Sequence, residues 1–299
     1  MEFTRAQYWA THRQEIHSLL HSAYPTASSS EEAIILGAGS CDDLDLNALA
    51  NQFAAITLVD IEGESARKIV QTLDTKSAAK YKIIDAIDLT KLDQIGFHAK
   101  FQSLLENVAP AEKICDFLQK SAVEVKFKPL LMLTKKTYSV VISSAVHTQL
   151  FYVHALSLFA IHAQLYLKQD VNRIVVALVG LRDQLIEAYN QLLLSLVKPN
   201  GVVIAWTEII KLDQDTDFIA NTIYTLPNEE ERARYVFNLM GAYGMEAATM
   251  GLKDLHGKLV GNEVIFRSWL WSYDHEKNYL VVGMTGKPIG APTLGLKSM

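Results

Sequence analysis

AIILGAGSCDDLDL, residues 33–46, is the stretch from which the rest of the chain is read. Four apolar residues run unbroken into Gly37-Ala38-Gly39. That is the pattern of a buried parallel strand entering a tight turn. Glycines in such a turn let a ligand approach the backbone, and the start of the next helix offers free N–H groups. Asp42 and Asp43 follow, with Leu44, Leu46, Leu49 and Phe53 on a helical period. Carboxylates suit the positive end of a helix. Strand, glycine turn and helix form the first unit of an α/β fold.

The unit repeats downstream. Ala54–Glu62 reads as a second strand, and Gly63 leads into a helix over Glu64–Leu73. Tyr81–Leu89, Thr137–Ala145 and Gly201–Ile209 read as the third to fifth strands. Helices are expected over His147–Lys168 and Arg173–Val197, the second stopping at Pro199-Asn200-Gly201. Strands alternating with helices imply a parallel sheet covered on both faces. The end of the chain departs from this. Glu263–Trp271 and Asn278–Thr285 are separated only by SYDHEK, too short for a helix, so they should pair as an antiparallel hairpin. The expected fold is a Rossmann-like, doubly wound α/β sheet, mostly parallel, with a C-terminal antiparallel hairpin.

Upstream, residues 1–24 read as a helix with Trp9, Ile16, Leu19 and Leu20 near one face. Pro25–Glu32 is a polar joint. The chain therefore divides into an N-terminal helical segment and linker, 1–32, and a binding domain, 33–290, with an extended insertion at about 90–136. Segments outside the strand-helix repeat are commonly functional when they are this long. Residues 1–24 and part of 90–136 are expected to cover the substrate side of the crevice, with Trp9 either as lid or as core.

Composition narrows the function classes. The chain has 299 residues, 49% hydrophobic and 20% charged, with a formal net charge of -5. A net acidic chain lacks the footprint that phosphate backbones need, so no nucleic-acid partner is expected. The lysine-bearing stretch Lys120–Lys136 reads as an amphipathic or strand segment. Cys41 and Cys115 make neither a disulfide framework nor a zinc pattern. Residues 1–24 do not read as a secretory signal. Leu150–Leu167 carries His154, His162 and Gln164 and reads as a buried helix rather than a span, so no membrane role and a cytoplasmic location are expected.

In an open α/β sheet the carboxyl ends of neighbouring strands face one crevice. Asp60 ends the second strand, twenty-three residues after Gly37, where a carboxylate accepts both hydroxyls of a ribose. Asp85 ends the third strand, as a ligand contact or a helix cap. The dinucleotide fingerprint needs Gly or Ala where this chain has Asp42. A carboxylate there repels a pyrophosphate and suits a ligand with a sulfonium and an ammonium. His147, just after the fourth strand, is the candidate general base, with Tyr152 and Glu208 behind it. His147, His154 and His162 are too far apart along a helix for one ion, so no metal is expected.

Together these stretches resemble the class I S-adenosylmethionine-dependent methyltransferases over roughly residues 33–285. ILGAGSCDDL resembles the glycine-rich motif, LVDIE the ribose-binding acid, IIDAIDL the adenine-contacting segment and YSVVISSAVHTQLF the fourth-strand motif. LLLSLVKPNGVVIAW and the terminal hairpin match the family's last elements. The resemblance implies S-adenosyl-L-methionine as cofactor, held by Gly37, Ala38, Gly39, Asp60, Ile61, Asp85, Ala86, Ser143 and Ser144. It implies methyl transfer to a small-molecule acceptor. Cys41 replaces the third glycine of the turn, and Ile35 the acid two residues before the first. An NAD(P)-dependent oxidoreductase and a non-catalytic module on the same fold are the competing readings.

Overall fold

Alternation along the strands decides the layers. Successive side chains of a strand point to opposite faces of its sheet. Ala33 and Ile35 belong to one apolar cluster, Ile34 and Leu36 to another. All four are fully buried. A strand covered on both faces needs this unbroken apolar run rather than an alternation with polar residues.

The computed structural model describes residues 5–24, 31–126, 130, 133 and 138–290. Most of the joint expected at 25–32, and parts of 127–137, lie outside them. Helices α1 (Arg5–Tyr8) and α2 (Ala10–Ala23) precede β1 (Glu32–Leu36). Then come α3 (Leu46–Gln52), β2 (Ala55–Val59), α4 (Gly63–Val70), α5 (Thr75–Ala78) and β3 (Tyr81–Ile84). Helices α6 (Phe97–Glu106) and α7 (Ala111–Lys126) lead to β4 (Tyr138–Ser144). Helices α8 (Tyr152–His162) and α9 (Lys168–Ser195) lead to β5 (Val197–Leu212). Helices α10 (Asp217–Ile223), α11 (Glu229–Tyr243) and α12 (Glu246–His256) precede β6 (Ile265–Ser272) and β7 (Asn278–Gly286).

The strands form one sheet in the order β3-β2-β1-β4-β5-β7-β6. Strands β1 to β5 are parallel; β7 runs antiparallel to both β5 and β6. Central β1 pairs Ile35 with Leu58 on one side and with Ile142 on the other. This is the Rossmann-like sheet with a terminal antiparallel hairpin that the sequence implies. On one face Ile35, Leu58, Ile142, Ile204 and Trp206 pack against α2, α3 and α4. On the other, Ile34, Val141, Val203 and Ala205 pack against α9, α11 and α12. A third cluster joins α6, α7 and α8 to the first half of α9.

Several boundaries differ from the sequence reading. Helix α8 starts at Tyr152 rather than His147, because residues 147–149 form a turn. The backbone leaves the helix again at Leu167, which is extended (ψ 148°), so α9 begins at Lys168. Asp45, not Asp42 or Asp43, caps α3: its Oδ1 accepts from the Ala48 amide at 2.9 Å. Helix α9 ends at Ser195, and the expected Pro199-Asn200-Gly201 turn lies inside the irregular start of β5, with Asn200 at φ 66°. Of the expected insertion at 90–136, Phe97–Glu106 and Ala111–Lys126 are helical, and they pack on α8 and α9. No helix of the described residues is long and apolar enough to cross a membrane.

Candidate functional site

The carboxyl ends of β1, β2, β4 and β5 open onto a crevice of about 340 Å³. Gly37, Ala38 and Gly39 line it, with Asp60 and Ile61 opposite. Gly37 has φ +75°, and a Cβ there would lie 2.4 Å from Val146 Cγ2 and 2.7 Å from Ser144 O. Only glycine fits where the β1 turn crosses the end of β4. Gly39 has φ +51° and nothing within 4 Å of its would-be Cβ. Gly39 itself lines the crevice. Cys41 keeps the left-handed conformation, φ 55°, that the missing glycine adopts freely, so the turn persists with local strain. Its thiol is buried and pushed up to about 12 by desolvation and the neighbouring aspartates, which disfavours the thiolate.

Asp60 organises the turn. Its Oδ2 accepts from the Gly39 amide at 2.7 Å and its Oδ1 from the Glu62 amide at 2.9 Å. A carboxylate has about four acceptor positions, so each oxygen retains a lone pair for a hydroxyl.

Asp43 went unassigned in the sequence reading as a site residue. It is buried, and its Oδ2 accepts from Ser144 Oγ at 2.7 Å, tying the glycine turn to β4. Burial pushes its carboxyl up to about 6 against an ordinary 3.8, with the Ser144 hydrogen bond acting in the opposite direction. Between about pH 4 and 6 the folded chain therefore holds a proton that the unfolded chain has lost. Stability falls as pH rises through that window. Asp43→Asn is expected to stabilise the protein by about 1–3 kcal/mol at pH 7.5, a gain that shrinks to nothing near pH 4. Urea unfolding at the two pH values measures this. A variant no more stable at pH 7.5 than the parent would contradict it.

The crevice is acidic. Asp42, Asp43, Asp60, Asp88 and Glu208 line it, and among the described lining residues there is no Lys, Arg or His. Glu208, a lesser candidate from sequence, lies at its floor. Its Oε2 accepts from Thr148 Oγ1 at 3.0 Å, and burial raises its carboxyl above the usual range. Opposite stand Trp9, Trp271 and Tyr273. Trp9 meets Trp271 edge-on at 4.8 Å and Tyr273 at 5.4 Å, and its Nε1 donates to the Tyr273 carbonyl at 2.9 Å.

Other expected site residues lie elsewhere. His147 is 1% exposed and faces α9 and α12, not the crevice. Its Nε2 is 2.9 Å from Asn190 Oδ1, its ring occupies the space that Gly251 leaves without a Cβ, and burial lowers its pKa. It is a neutral packing residue. Tyr152 belongs to the helical cluster, its ring under the Arg182 guanidinium at 4.8 Å. Asp85 pairs with Arg67, whose hydrogen bond holds its carboxyl below the usual range. Ala86 adopts φ 55° and turns the chain, so Ile87, Asp88, Leu89 and Thr90 reach the crevice instead of Asp85 and Ala86. Ser143 points to the other face of the sheet and accepts from Tyr189 Oη at 2.8 Å; Ser144 lines the crevice.

Trp9 brings the N-terminal segment to the mouth, whereas of 90–136 only Thr90 lines the crevice among the described residues. No cluster of three metal-ligating side chains occurs among the described residues. Trp271 and Tyr273 were missed, although the period-two spacing of Trp269, Trp271 and Tyr273 puts all three on one face of the hairpin.

No family model matches the chain, and no curated protein matches it. Solved structures do. Magnesium protoporphyrin IX methyltransferase from Synechocystis PCC 6803, with S-adenosylhomocysteine bound, is 10% identical with a TM-score of 0.41, over 93% of this chain and 83% of that one. The YcgJ protein from Bacillus subtilis is 8% identical with a TM-score of 0.43, over 93% and 99%. Precorrin-6y C5,15-methyltransferase from Geobacter metallireducens GS-15 is 12% identical with a TM-score of 0.37, over 92% and 88%. Each is a distant likeness of fold.

Proposed function

We propose that the chain is an S-adenosylmethionine-dependent methyltransferase acting on a small-molecule acceptor. The observation that carries this is the lining of the crevice: a glycine turn and Asp60 at the strand ends, with five carboxylates and no cationic side chain among the described residues. A dinucleotide brings a pyrophosphate, which that lining repels. S-adenosylmethionine brings a sulfonium and an ammonium, which it attracts. Gly37 to Gly39 offer backbone close to the ligand, with open space at Gly39. Asp60 has acceptor capacity left for the ribose hydroxyls. Ile61 and Ile87 offer apolar surface for the adenine.

When bound, the cofactor supplies an electrophilic methyl group on a good leaving group. The chain's own work is then placement: two partners held in line supply much of the rate. Trp9, Trp271 and Tyr273 exclude water from the acceptor side. The acidic lining and the net charge of -5 disfavour a polynucleotide acceptor, which supports a small molecule.

Calorimetry is expected to give S-adenosylhomocysteine a low-micromolar affinity or better, and NADH none comparable. Tight NADH binding with none for the homocysteine product would end this reading. Asp60→Ala should weaken S-adenosylhomocysteine ten- to a hundredfold, the equivalent of about 1.5–3 kcal/mol for a charge-assisted hydrogen bond. Because Asp60 also holds the Gly39 and Glu62 amides, its melting temperature should fall as well. An unchanged affinity in a folded variant would remove Asp60 from the ribose.

A further inference from the structure

We infer that the acceptor is an organic amine, bound as its cation between the Glu208 carboxylate and the aromatic wall of Trp9, Trp271 and Tyr273. This rests on the methyltransferase reading and names the acceptor class for that same crevice.

Register places these groups together. On β5, Trp206 belongs to the sheet face that packs against α2, and Glu208, two residues on, points the same way. Glu208 pairs with Val281 on β7, and Val281 pairs with Trp269 on β6. Trp269, Trp271, Tyr273 and Val281 all belong to the cluster on that face. Glu208 from β5, Trp271 from β6, Tyr273 just past the end of β6 and Trp9 from the N-terminal segment thus line one crevice.

The rings are held in place. Trp271 meets Tyr273 edge-on at 5.2 Å, and His12 stacks on Trp271 at 4.0 Å. His12 Nδ1 in turn accepts from Trp269 Nε1 at 2.9 Å. Burial drives the His12 pKa down to about 3, so it remains neutral; Lys277 Nζ lies 5.9 Å from the Tyr273 ring centroid, a cation–ring contact already present on this wall. Neutral aromatic faces attract a cation, and more strongly where water is excluded.

Charge points the same way. Glu208 Oε2 takes the hydroxyls of Thr148 and Thr207, at 3.0 and 3.4 Å, and both bonds favour the carboxylate against the burial that raises its pKa. A bound S-adenosylmethionine carries one net positive charge, fewer than the carboxylates that line the crevice. The described lining residues include no Lys, Arg or His; Arg13 donates to the Asp42 carbonyl from outside the lining, and Asp60, Asp88 and Glu208 add further carboxylates to it. An anionic acceptor would meet like charge among the lining carboxylates. A neutral one would bring Glu208 no opposite charge to offset its burial. A cation answers both.

The test uses three indole probes that differ only in their head groups: tryptamine, tryptophol and indole-3-propionate. Each is titrated by calorimetry into the full chain saturated with S-adenosylhomocysteine. Tryptamine is expected to bind at least tenfold more tightly than the other two. Glu208→Gln should weaken tryptamine ten- to a hundredfold and leave S-adenosylhomocysteine within a few-fold. Tyr273→Leu, which keeps the carboxylate, should weaken tryptamine several-fold. Tryptophol or indole-3-propionate binding as tightly as tryptamine would overturn the inference, as would no binding by any of the three. Tryptamine affinity unmoved in a folded Glu208→Gln variant would overturn it too. Glu208-dependent tryptamine binding by a chain that never binds S-adenosylhomocysteine would uphold the cation site and sink the methyltransferase reading.

Discussion

Gly37→Ala is expected to lose about 2–5 kcal/mol of folding stability: about 1–2 for a side chain at positive φ and about 1–3 for overpacking. The added carbon meets Val146 Cγ2 at 2.4 Å and, more seriously, the Ser144 carbonyl oxygen at 2.7 Å. A side-chain methyl can rotate away; a backbone carbonyl in the centre of a sheet cannot. Gly39→Ala should behave differently. Its φ is also positive, but the new methyl meets nothing within 4 Å. It should lose only about 1–2 kcal/mol. Its methyl would occupy the volume assigned to the ligand, so S-adenosylhomocysteine should bind at least tenfold more weakly to a protein that still folds. Urea unfolding and calorimetry on both variants separate the effects. Equal stability losses would contradict the geometry, and an unweakened Gly39→Ala would place the ligand elsewhere.

Deleting residues 1–24 should yield a chain that does not fold. From the sequence this segment reads as a lid whose loss spares the cofactor, but α2 lies on β6 and β7 with its apolar side fully used. Trp9, Ile16, Leu19 and Leu20 are 6%, 1%, 0% and 7% exposed. Four such side chains contribute about 6–12 kcal/mol at roughly 1.5–3 each. That matches the whole stability of an ordinary domain, about 5–15 kcal/mol. The deletion would also bare Trp269, Trp271 and Val281. A soluble truncated chain with a cooperative melt would show that the helix is an accessory. Trp9→Leu is the narrower probe of the mouth, because it keeps the apolar anchor and removes the ring that meets Tyr273.

Order and type of the sheet elements were legible because the central strands are short, largely apolar runs: Ala33–Leu36 stops at Gly37, Ala55–Val59 stops at Asp60, and the regular part of β5 starts at Gly201. The first and second strand ends were legible at the site for the same reason: Gly37 to Gly39 and Asp60 are where the run stops. The third was not. Asp85 looks like Asp60 in sequence, but Arg67 takes it, and the left-handed Ala86 hands the crevice to the residues that follow. His147 failed for a similar reason. A histidine after a strand end reads as a base, but the side chain's direction depends on Asn190, 43 residues away in sequence, and on Gly251, a further 61 residues beyond Asn190. The aromatic wall needed the hairpin register, which fixes faces only once strands are paired. Helices α10 to α12 went unread after β5.

Helix α9, at 28 residues, is about 42 Å long and serves two cores. Its second half, through Tyr189 and Leu193, packs on the sheet; its first half, through Ile174 and Leu178, holds α6, α7 and α8. The three smaller helices thus share their main apolar seam with this helix rather than with the sheet. Such an arrangement divides cooperativity. Under mild denaturant the amides of α6 and α7 should exchange with solvent through an opening smaller than global unfolding, while those of β1 and β4 wait for the whole protein to open. The ligand-binding edge is then insulated from breathing in the helical cluster: heat or urea can loosen α6 and α7 first, leaving the glycine turn and Asp60 in register until the sheet itself gives way.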